Sequence, residues 1–266
     1  MNKIHTFVVL AYKESEYLED CIKSVLNQSY KSDIVIATST PNNYIKKLAK
    51  KYKLNIIENP EPGKGIGYDF DFAVSCGKTK LVTVAHQDDI YDYDYALEVV
   101  SHYKKYSDSL MFNTDYYEIK NDDKVYSNTN LNIKKILLSP LKLRFIAHTK
   151  FIKRLPLRFG CSICCPSVTF VKDKTGCKIF ESDMKCDVDW LAWERLSRKD
   201  GRFIYINKPL MGHRVHEEST TTEIIKENIR TKEDYQMFCK FWPKLIAKFI
   251  NNFYKNSEKS NDIKIK

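Results

Sequence analysis

An α/β fold is predicted for this chain, with a mostly parallel central sheet flanked by helices and a helical extension at the C-terminus. Short apolar runs alternate with amphipathic helical stretches through the N-terminal part of the sequence. The apolar runs are continuous rather than alternating, which is typical of parallel strands buried on both faces. Two further amphipathic stretches close the chain before a polar tail.

The first four strands are separated by helices. The strands are predicted at Phe7–Ala11, Ile34–Ala37, Leu54–Ile57 and Leu81–Ala85. Ser15 is the expected N-cap of the first helix, and Pro41 the expected first residue of the second. A third helix follows the segment Gly63–Gly67, whose glycine spacing matches neither a Walker loop nor a dinucleotide-binding fingerprint. In such a sheet, ligands bind beyond the carboxyl ends of the strands.

The second half of the chain has a different pattern. Strands are predicted at Leu110–Ile119, Lys124–Ser127, Ser167–Val171 and Phe203–Ile206, and helices at Asp187–Arg198, Glu223–Phe238 and Trp242–Tyr254. Neither an internal repeat nor a linker divides the 266 residues.

Composition and charge restrict the class of protein. A hydrophobic content of 43% with 29% charged residues indicates a globular chain, and the net charge of +10 favours anionic partners such as nucleotides, phospholipid surfaces or nucleic acid. No apolar run approaches the roughly 20 residues that span a bilayer, and the start is too short for a secretory signal, so we expect a cytoplasmic protein. The eight cysteines are accordingly expected to be free thiols.

The segment 134–158 carries eight Lys or Arg residues and no Asp or Glu, with apolar residues interleaved. This composition fits a segment that lies on a membrane surface. A solvated basic face over an ordinary core helix explains it equally well.

Two adjacent acids, Asp88 and Asp89, follow the fourth predicted strand directly. Adjacent carboxylates repel each other, and a divalent cation such as Mg²⁺ or Mn²⁺ allows both to stay ionised. An acidic loop without a metal is the alternative, because Asp92 and Asp94 lie just beyond.

Five segments, in order, resemble the family 2 glycosyltransferases, which have the GT-A (Rossmann-like) fold. They are Phe7–Leu18, Cys21–Tyr30, Val84–Tyr91, Cys186–Trp190 and Leu210–Ser219. The resemblance implies inverting, metal-dependent transfer of a sugar from a nucleoside-diphosphate sugar, with a UDP-sugar favoured. The implied acceptor is a hydroxyl of a glycan or lipid-linked glycan, as in bacterial surface polysaccharide synthesis. It also implies a GT-A domain over residues 1–222, divided into a nucleotide-binding half (1–115) and an acceptor-side half (116–222), with amphipathic helices and a polar tail at 223–266.

The resemblance also implies roles for individual residues. Asp187 would be the catalytic base, with Asp189 as the second candidate, and Asp88 and His216 would hold Mn²⁺ or Mg²⁺. The residues implied for the donor nucleotide and sugar are Ala11, Tyr12, Glu14, Ser39, Thr40, Lys64, Asp69, His86, Gln87, Asp88, Asp89, Arg214 and Ser219.

The sequence departs from the family pattern at several of these positions. His86 stands where Asp is usual, Cys186 stands where Glu is common, and Ala37–Pro41 replaces an Asp-Asp-Gly-Ser segment. Tyr68-Asp69 stands where an Arg-Asn pair is usual. These changes leave Asp88 and Asp187 as the retained acids and leave the nucleotide base open.

Other readings use the same residues. Cys161, Cys164 and Cys165 could begin a zinc site, although a second ligand pair at the usual spacing is missing. The positive charge and aromatic content also fit a nucleic-acid-binding module, but no recognition motif accompanies them, and no nucleic-acid partner is expected. A relative that binds a sugar nucleotide without catalysis is the third possibility. Contact with the inner face of the cell membrane would follow if residues 134–158 bind lipid.

Overall fold

The computed structural model describes residues 3–215 and 229–262, with side chains up to residue 254 in the last helix. Its strands are β1 (His5–Ala11), β2 (Asp33–Thr38), β3 (Asn55–Glu58), β4 (Leu81–His86), β5 (Ile90–Tyr91), β6 (Ser109–Lys120), β7 (Asp123–Val125), β8 (Val168–Val171) and β9 (Arg202–Arg214). Its helices are α1 (Leu18–Leu26), α2 (Asn43–Tyr52), α3 (Ile66–Cys76), α4 (Tyr95–Lys105), α5 (Thr129–Leu138), α6 (Lys150–Arg154), α7 (Lys172–Thr175), α8 (Val188–Ser197), α9 (Ile229–Phe238) and α10 (Lys244–Asp262).

All nine strands belong to one sheet, in the order β3-β2-β1-β4-β8-β6-β9-β5, with β7 paired to β6. Strands β1 to β4 pair in parallel, β8 runs antiparallel to β4 and β6, and β9 is parallel to β6. The predicted α/β class, with a mostly parallel sheet and C-terminal helices, is confirmed. The carboxyl ends of β1, β2, β4 and β9 therefore lie along one edge.

Helices cover both faces of the sheet. Along β1, Phe7 and Val9 pack with α1, α2 and α4, whereas Val8 faces the layer that contains α3, α8 and α9. Because β1 is buried on both faces, its sequence is a continuous apolar run rather than an alternating one. This burial fixes where the strand ends lie.

Strand β9 is much longer than predicted, and its extension builds one side of the site. Asn207, Lys208 and Pro209 interrupt its apolar pattern and are exposed, so the sequence indicated a strand that ends at Ile206. The chain continues past this irregularity and pairs Gly212 with Ile90 of β5. No side chain fits at Gly212, since a Cβ there would lie 2.6 Å from the Tyr117 ring.

The predicted starts of the first two helices are wrong. Helix α1 begins at Leu18, and Ser15 stays in the preceding turn, where its carbonyl accepts from the Leu18 amide at 3.2 Å. Helix α2 begins at Asn43, because the Asn42 side chain caps the Ile45 amide at 2.9 Å. Asparagine binds an exposed helix amide, which Pro41 cannot do.

The basic segment 134–158 is not one amphipathic helix. It covers the end of α5, two short 3-10 turns and α6. Two of its lysines turn inward: Lys134 donates to the Tyr116 hydroxyl at 2.9 Å, and buried Lys153 donates to the Gly201 carbonyl at 2.9 Å. Among the described residues, no helix is long and apolar enough to cross a membrane.

Candidate active site

A cleft of about 340 Å³ opens at the carboxyl edge of the sheet. Four of the predicted site residues line it together: His86 and Asp88 from the end of β4, and Asp187 and Asp189 from the start of α8. Lys134 of α5 and His213 of β9 also line it. Residues nearly a hundred positions apart thus meet in one space.

Buried Asp89 joins the end of β4 to the end of β9. Its Oδ1 accepts from the His213 ring at 3.0 Å and from the Arg214 backbone amide at 3.0 Å. Burial alone would lower the pKa of His213, but the Asp89 carboxylate outweighs it and raises that pKa above its ordinary value. The pairing of β5 with β9 brings these groups within reach.

The residues at the end of β4 fit a divalent cation. One ligand atom each from His86, Asp88 and Asp89 lies within 4.8 Å of the others, the one such group found among the described residues. His86 Nε2 and Asp89 Oδ2 are buried, and neither atom has a hydrogen-bond partner among the residues that the structure describes. Burial lowers the pKa of His86, which favours the neutral imidazole that a metal binds. The His86 ring stacks on Phe70 at 5.1 Å, which holds it in place.

Arg214 braces the main chain of the acidic pair. Its Nε donates to the Asp88 carbonyl at 3.2 Å, and Nη1 reaches the Asp122 carboxylate at 3.0 Å, at the turn between β6 and β7. Its guanidinium lies 4.3 Å from the centre of the Tyr17 ring. The predicted arginine therefore adjoins the cleft, where it fixes the backbone of Asp88.

Hydrogen bonds at the ends of the strands connect several residues that were predicted to bind the donor nucleotide and sugar. Gln87 is paired with the backbone of Tyr12 through two hydrogen bonds of 2.9 and 3.0 Å, which link the ends of β4 and β1. The Thr40 hydroxyl accepts from the Lys13 amide at 2.5 Å, which links the end of β1 to that of β2. These bonds leave a polar rim beside the cleft.

The rim continues to helix α3 through Asp69. The Ser39 hydroxyl donates to the Asp69 carboxylate, and Asn59 Nδ2 donates to both, at 3.0 and 3.1 Å. The sequence did not single out Asn59; its place directly after β3 was the available signal. Asp69 therefore occupies the side of the rim where the usual carboxylate after β2 is missing.

The other predicted donor residues do not join this rim. Ala11 is a buried end residue of β1, and Glu14 is exposed on the following loop. Lys64 is exposed and pairs with Glu61 at 2.7 Å rather than lining the cleft. His216 and Ser219 lie outside the described residues.

Asp187 is a buried acid in an environment that disfavours its charge. It is 4% exposed, and its Oδ2 has no hydrogen-bond partner within the described residues. Burial, followed by the nearby Asp234 carboxylate, raises the pKa of Asp187 well above its ordinary value, and Arg230 opposes the shift. A raised pKa makes the ionised form of a carboxyl group a stronger proton acceptor.

Glu233 of α9 holds the segment that carries Asp187. Its carboxylate accepts from the backbone amides of Lys185, Cys186 and Asp187 at 2.9, 2.8 and 3.1 Å. The sequence alone does not single out Glu233, because an acid in an amphipathic helix resembles any solvated surface residue. The C-terminal helices thus help to build the cleft, to which Arg230 and Tyr254 also contribute.

Asp189 and the cysteines form another wall. Asp189 accepts from its neighbour's amide, that of Trp190, at 2.7 Å and from the Cys161 thiol at 3.5 Å. Burial raises the pKa of Asp189, and these two donors oppose the shift. Burial also raises the pKa values of the thiols of Cys161 and Cys165. The cysteines do not take part in the metal-compatible group of the described residues, and every described thiol is free.

The sequence matches the family Glycosyl transferase family 2 over residues 6–172, more than half of the chain. The protein belongs to this family. Its sugar-transferring class is therefore established, and no curated protein matches the sequence.

Solved structures share the GT-A fold of this glycosyltransferase at low sequence identity. S. aureus TarS 1–349 has a TM-score of 0.63 at 11% identity, covering 98% of this chain and 75% of that one. Its complex with UDP-GlcNAc has a TM-score of 0.62 at 12% identity, covering 98% of this chain and 76% of that one. The mannosyltransferase PcManGT from Pyrobaculum calidifontis, in complex with GDP-Man and Mn²⁺, gives 0.61 at 12%, with 93% and 69% covered.

The burial of Asp187 predicts an effect on the stability of this glycosyltransferase. Between the ordinary pKa and the raised one, the folded state keeps a proton that the unfolded state has lost, so stability falls as pH rises. Asp187→Asn removes this penalty and should raise Tm at neutral pH, by about 2–4 °C for each kcal/mol recovered.

Calorimetry across pH 4–8 measures the difference, taken relative to the exposed control Asp183→Asn. The gain should grow with pH up to the raised pKa. An Asp187→Asn protein that melts below the wild type at neutral pH would show that the environment favours the carboxylate.

Glu233 predicts a separation between binding and turnover. Glu233→Ala leaves three amides beside Asp187 without their acceptor, so we expect kcat to fall about 10²-fold with donor KM little changed. Glu233→Gln also removes a charge that raises the pKa of Asp187. The acidic limb of the variant's pH profile of kcat should therefore move to lower pH. Glu181→Ala, an exposed acid near the same segment, is the control. Unchanged kcat in Glu233→Ala would exclude the positioning role.

Proposed function

We propose that the protein catalyses inverting, divalent-metal-dependent transfer from a nucleoside-diphosphate sugar, with a UDP-sugar favoured, to a hydroxyl of a glycan or lipid-linked glycan acceptor. The observation that carries the proposal is that one cleft holds His86 and Asp88 of the cation-compatible group together with the buried acid Asp187. One side suits a diphosphate, and the other suits proton removal.

The donor side of the proposal rests on the polar rim. Asp69, Asn59 and Ser39 offer carboxylate, amide and hydroxyl groups at the strand ends, where ligands of open α/β sheets bind. The TarS complex with UDP-GlcNAc and the PcManGT complex with GDP-Man support a nucleotide sugar as donor. They differ in base, and the favoured uracil is the part of the proposal that a nucleotide panel decides.

The proposed cation is Mn²⁺ or Mg²⁺, held by Asp88 with His86 and Asp89, and with His216 from beyond the described residues. An imidazole nitrogen beside carboxylates suits Mn²⁺ better than Mg²⁺, which prefers an all-oxygen shell. When bound there, the ion would offset negative charge on the diphosphate leaving group. Asp89 keeps its other oxygen on His213 and the Arg214 amide, which holds the carboxylate in position.

Asp187 is the proposed base of a single displacement. The acceptor oxygen attacks the anomeric carbon, its proton passes to Asp187, and the bond from that carbon to the diphosphate oxygen breaks, which inverts the configuration. Burial and the Asp234 carboxylate raise the pKa of Asp187, which makes it a stronger proton acceptor than an exposed carboxylate. Asp189, held by an amide and a thiol, is the second candidate.

The proposed process is surface polysaccharide synthesis at the inner face of the cell membrane. The acceptor would bind along the side of the cleft formed by Cys161, Ile163 and Tyr254. The combination of apolar and thiol surface there fits a glycan ring better than a second phosphate.

A thermal-shift panel tests donor binding first. Each nucleoside diphosphate and its sugars are added with and without Mn²⁺, and a ligand at one hundred times its Kd adds about 2.7 kcal/mol of stability. We expect the largest shift with a UDP-sugar in the presence of Mn²⁺. No shift with any nucleotide sugar would contradict the proposal.

Turnover of the best donor then tests the assigned acids. Asp88→Asn and Asp187→Asn should each lower the rate of donor hydrolysis or transfer at least about 10²-fold while the proteins stay folded. Asp183→Asn, an exposed acid four residues before Asp187, should retain full activity. Donor binding without any turnover in the wild type would indicate a non-catalytic relative instead.

A further inference from the structure

Helix α10 presents an apolar face to solvent. Leu245, Phe249 and Phe253 follow one another at four-residue intervals, and they are 86%, 71% and 74% exposed. Ile246, beside them, is 46% exposed. Four large apolar side chains in one exposed stripe mark a surface that contacts an apolar partner.

The opposite side of α10 packs on the domain. Ala247 and Asn251 are buried, and Asn251 donates to the Thr231 carbonyl of α9 at 3.1 Å. Exposed Lys244 and Lys248 lie between the packed side and the apolar stripe. The helix is therefore fixed to the domain, with an outward apolar stripe edged by positive charge.

An aromatic and basic cluster stands at the start of this helix. Arg158 lies over the rings of Phe151 and Trp242, at 5.3 and 5.6 Å, and Phe159 packs on Trp242 at 5.4 Å. Phe151 and Phe159 are 59% and 49% exposed. Aromatic rings with an arginine between them are typical of side chains that lie at a lipid–water interface.

This surface adjoins the cleft. The ring of Tyr254, the last residue of α10 whose side chain is described, lies against Gly160, where a Cβ would be only 3.0 Å from it. Tyr254 also lines the cleft beside Cys161. A partner on the outer side of α10 would therefore lie across this helix from the cleft.

We propose that the exposed face of α10, together with Phe151, Phe159 and Trp242, docks on an anionic lipid bilayer, with the helix lying in the plane of the surface. This docking rests on the proposed function, and it makes the acceptor a lipid-linked one that reaches the cleft past Tyr254. Aromatic and aliphatic residues on one face with lysines at the edge are the pattern of such interfacial helices.

The charge of this surface favours lipid over a second copy of the chain. A self-interface through the stripe would bring the lysines of two copies together, whereas anionic headgroups would pair with them. The net charge of +10 acts in the same direction.

Co-sedimentation of the full chain with vesicles tests the proposal. We expect binding to phosphatidylglycerol–phosphatidylcholine vesicles and little binding to phosphatidylcholine alone. The double variant Leu245→Glu/Phe249→Glu should lose at least about tenfold in vesicle partitioning, and Lys244→Gln/Lys248→Gln about fivefold per lysine. Leu97→Glu, an exposed apolar site on α4 at the other face of the sheet, is the matched control and should bind as the wild type does.

Two outcomes would overturn the proposal. One is undiminished vesicle binding by Leu245→Glu/Phe249→Glu; the other is a dimer in light scattering that this variant dissociates, which would make the stripe a self-interface. Nucleotide-sugar binding by the same variant, followed by thermal shift, should equal that of the wild type. Its absence in every variant and in the wild type would count against the proposed function, whereas loss of vesicle binding alone concerns only the docking face.

Discussion

The buried carboxylate of Asp89 joins the two parts of the sheet on which the site depends. Its Oδ1 accepts hydrogen bonds from the ring of His213 and the backbone amide of Arg214, so the end of β4 is held against the end of β9. Strand β5 is two residues long and pairs with β9 directly after the acid, which makes the connection short and rigid. The hydrogen bonds of Asp89 therefore also fix the positions of the neighbouring His86 and Asp88.

The site concentrates charge that the fold disfavours. Asp187 is buried close to Asp234, and Glu233 and Asp189 stand nearby. A protein selected for stability alone would not bury several acids together, because each loses hydration. Three backbone amides on Glu233 and the guanidinium of Arg230 offset part of this loss. Such a balance is typical of catalytic centres, where a perturbed pKa serves the reaction.

Much of the fold could be predicted because burial leaves a clear pattern in the sequence. Strands β1 and β4 are buried on both faces, and the acids that follow β4 interrupt that pattern sharply. Strand β9 could not be predicted in full, since the polar residues Asn207–Pro209 form an irregularity inside it. Helix starts were missed at Ser15 and Pro41, where local capping by Asn42 and a turn decided the outcome.

The site was predictable only where chemistry shows in adjacent residues. Asp88 stood out because two adjacent acids follow a strand, and Asp187 because its segment resembles the family's catalytic-base segment. Glu233 and Lys134 did not, since their roles arise from tertiary packing that brings α9 and α5 to the cleft. No local pattern distinguishes them from surface charges.

Electron paramagnetic resonance of Mn²⁺ can decide whether the acids at the end of β4 bind a cation together with the donor. We expect a single saturable site in the wild type that binds more tightly when a nucleoside-diphosphate sugar is present, and its loss in Asp88→Asn. Equal Mn²⁺ binding in both proteins, or Mn²⁺ binding that does not become tighter when the sugar nucleotide is added, would contradict a cation site at the end of β4.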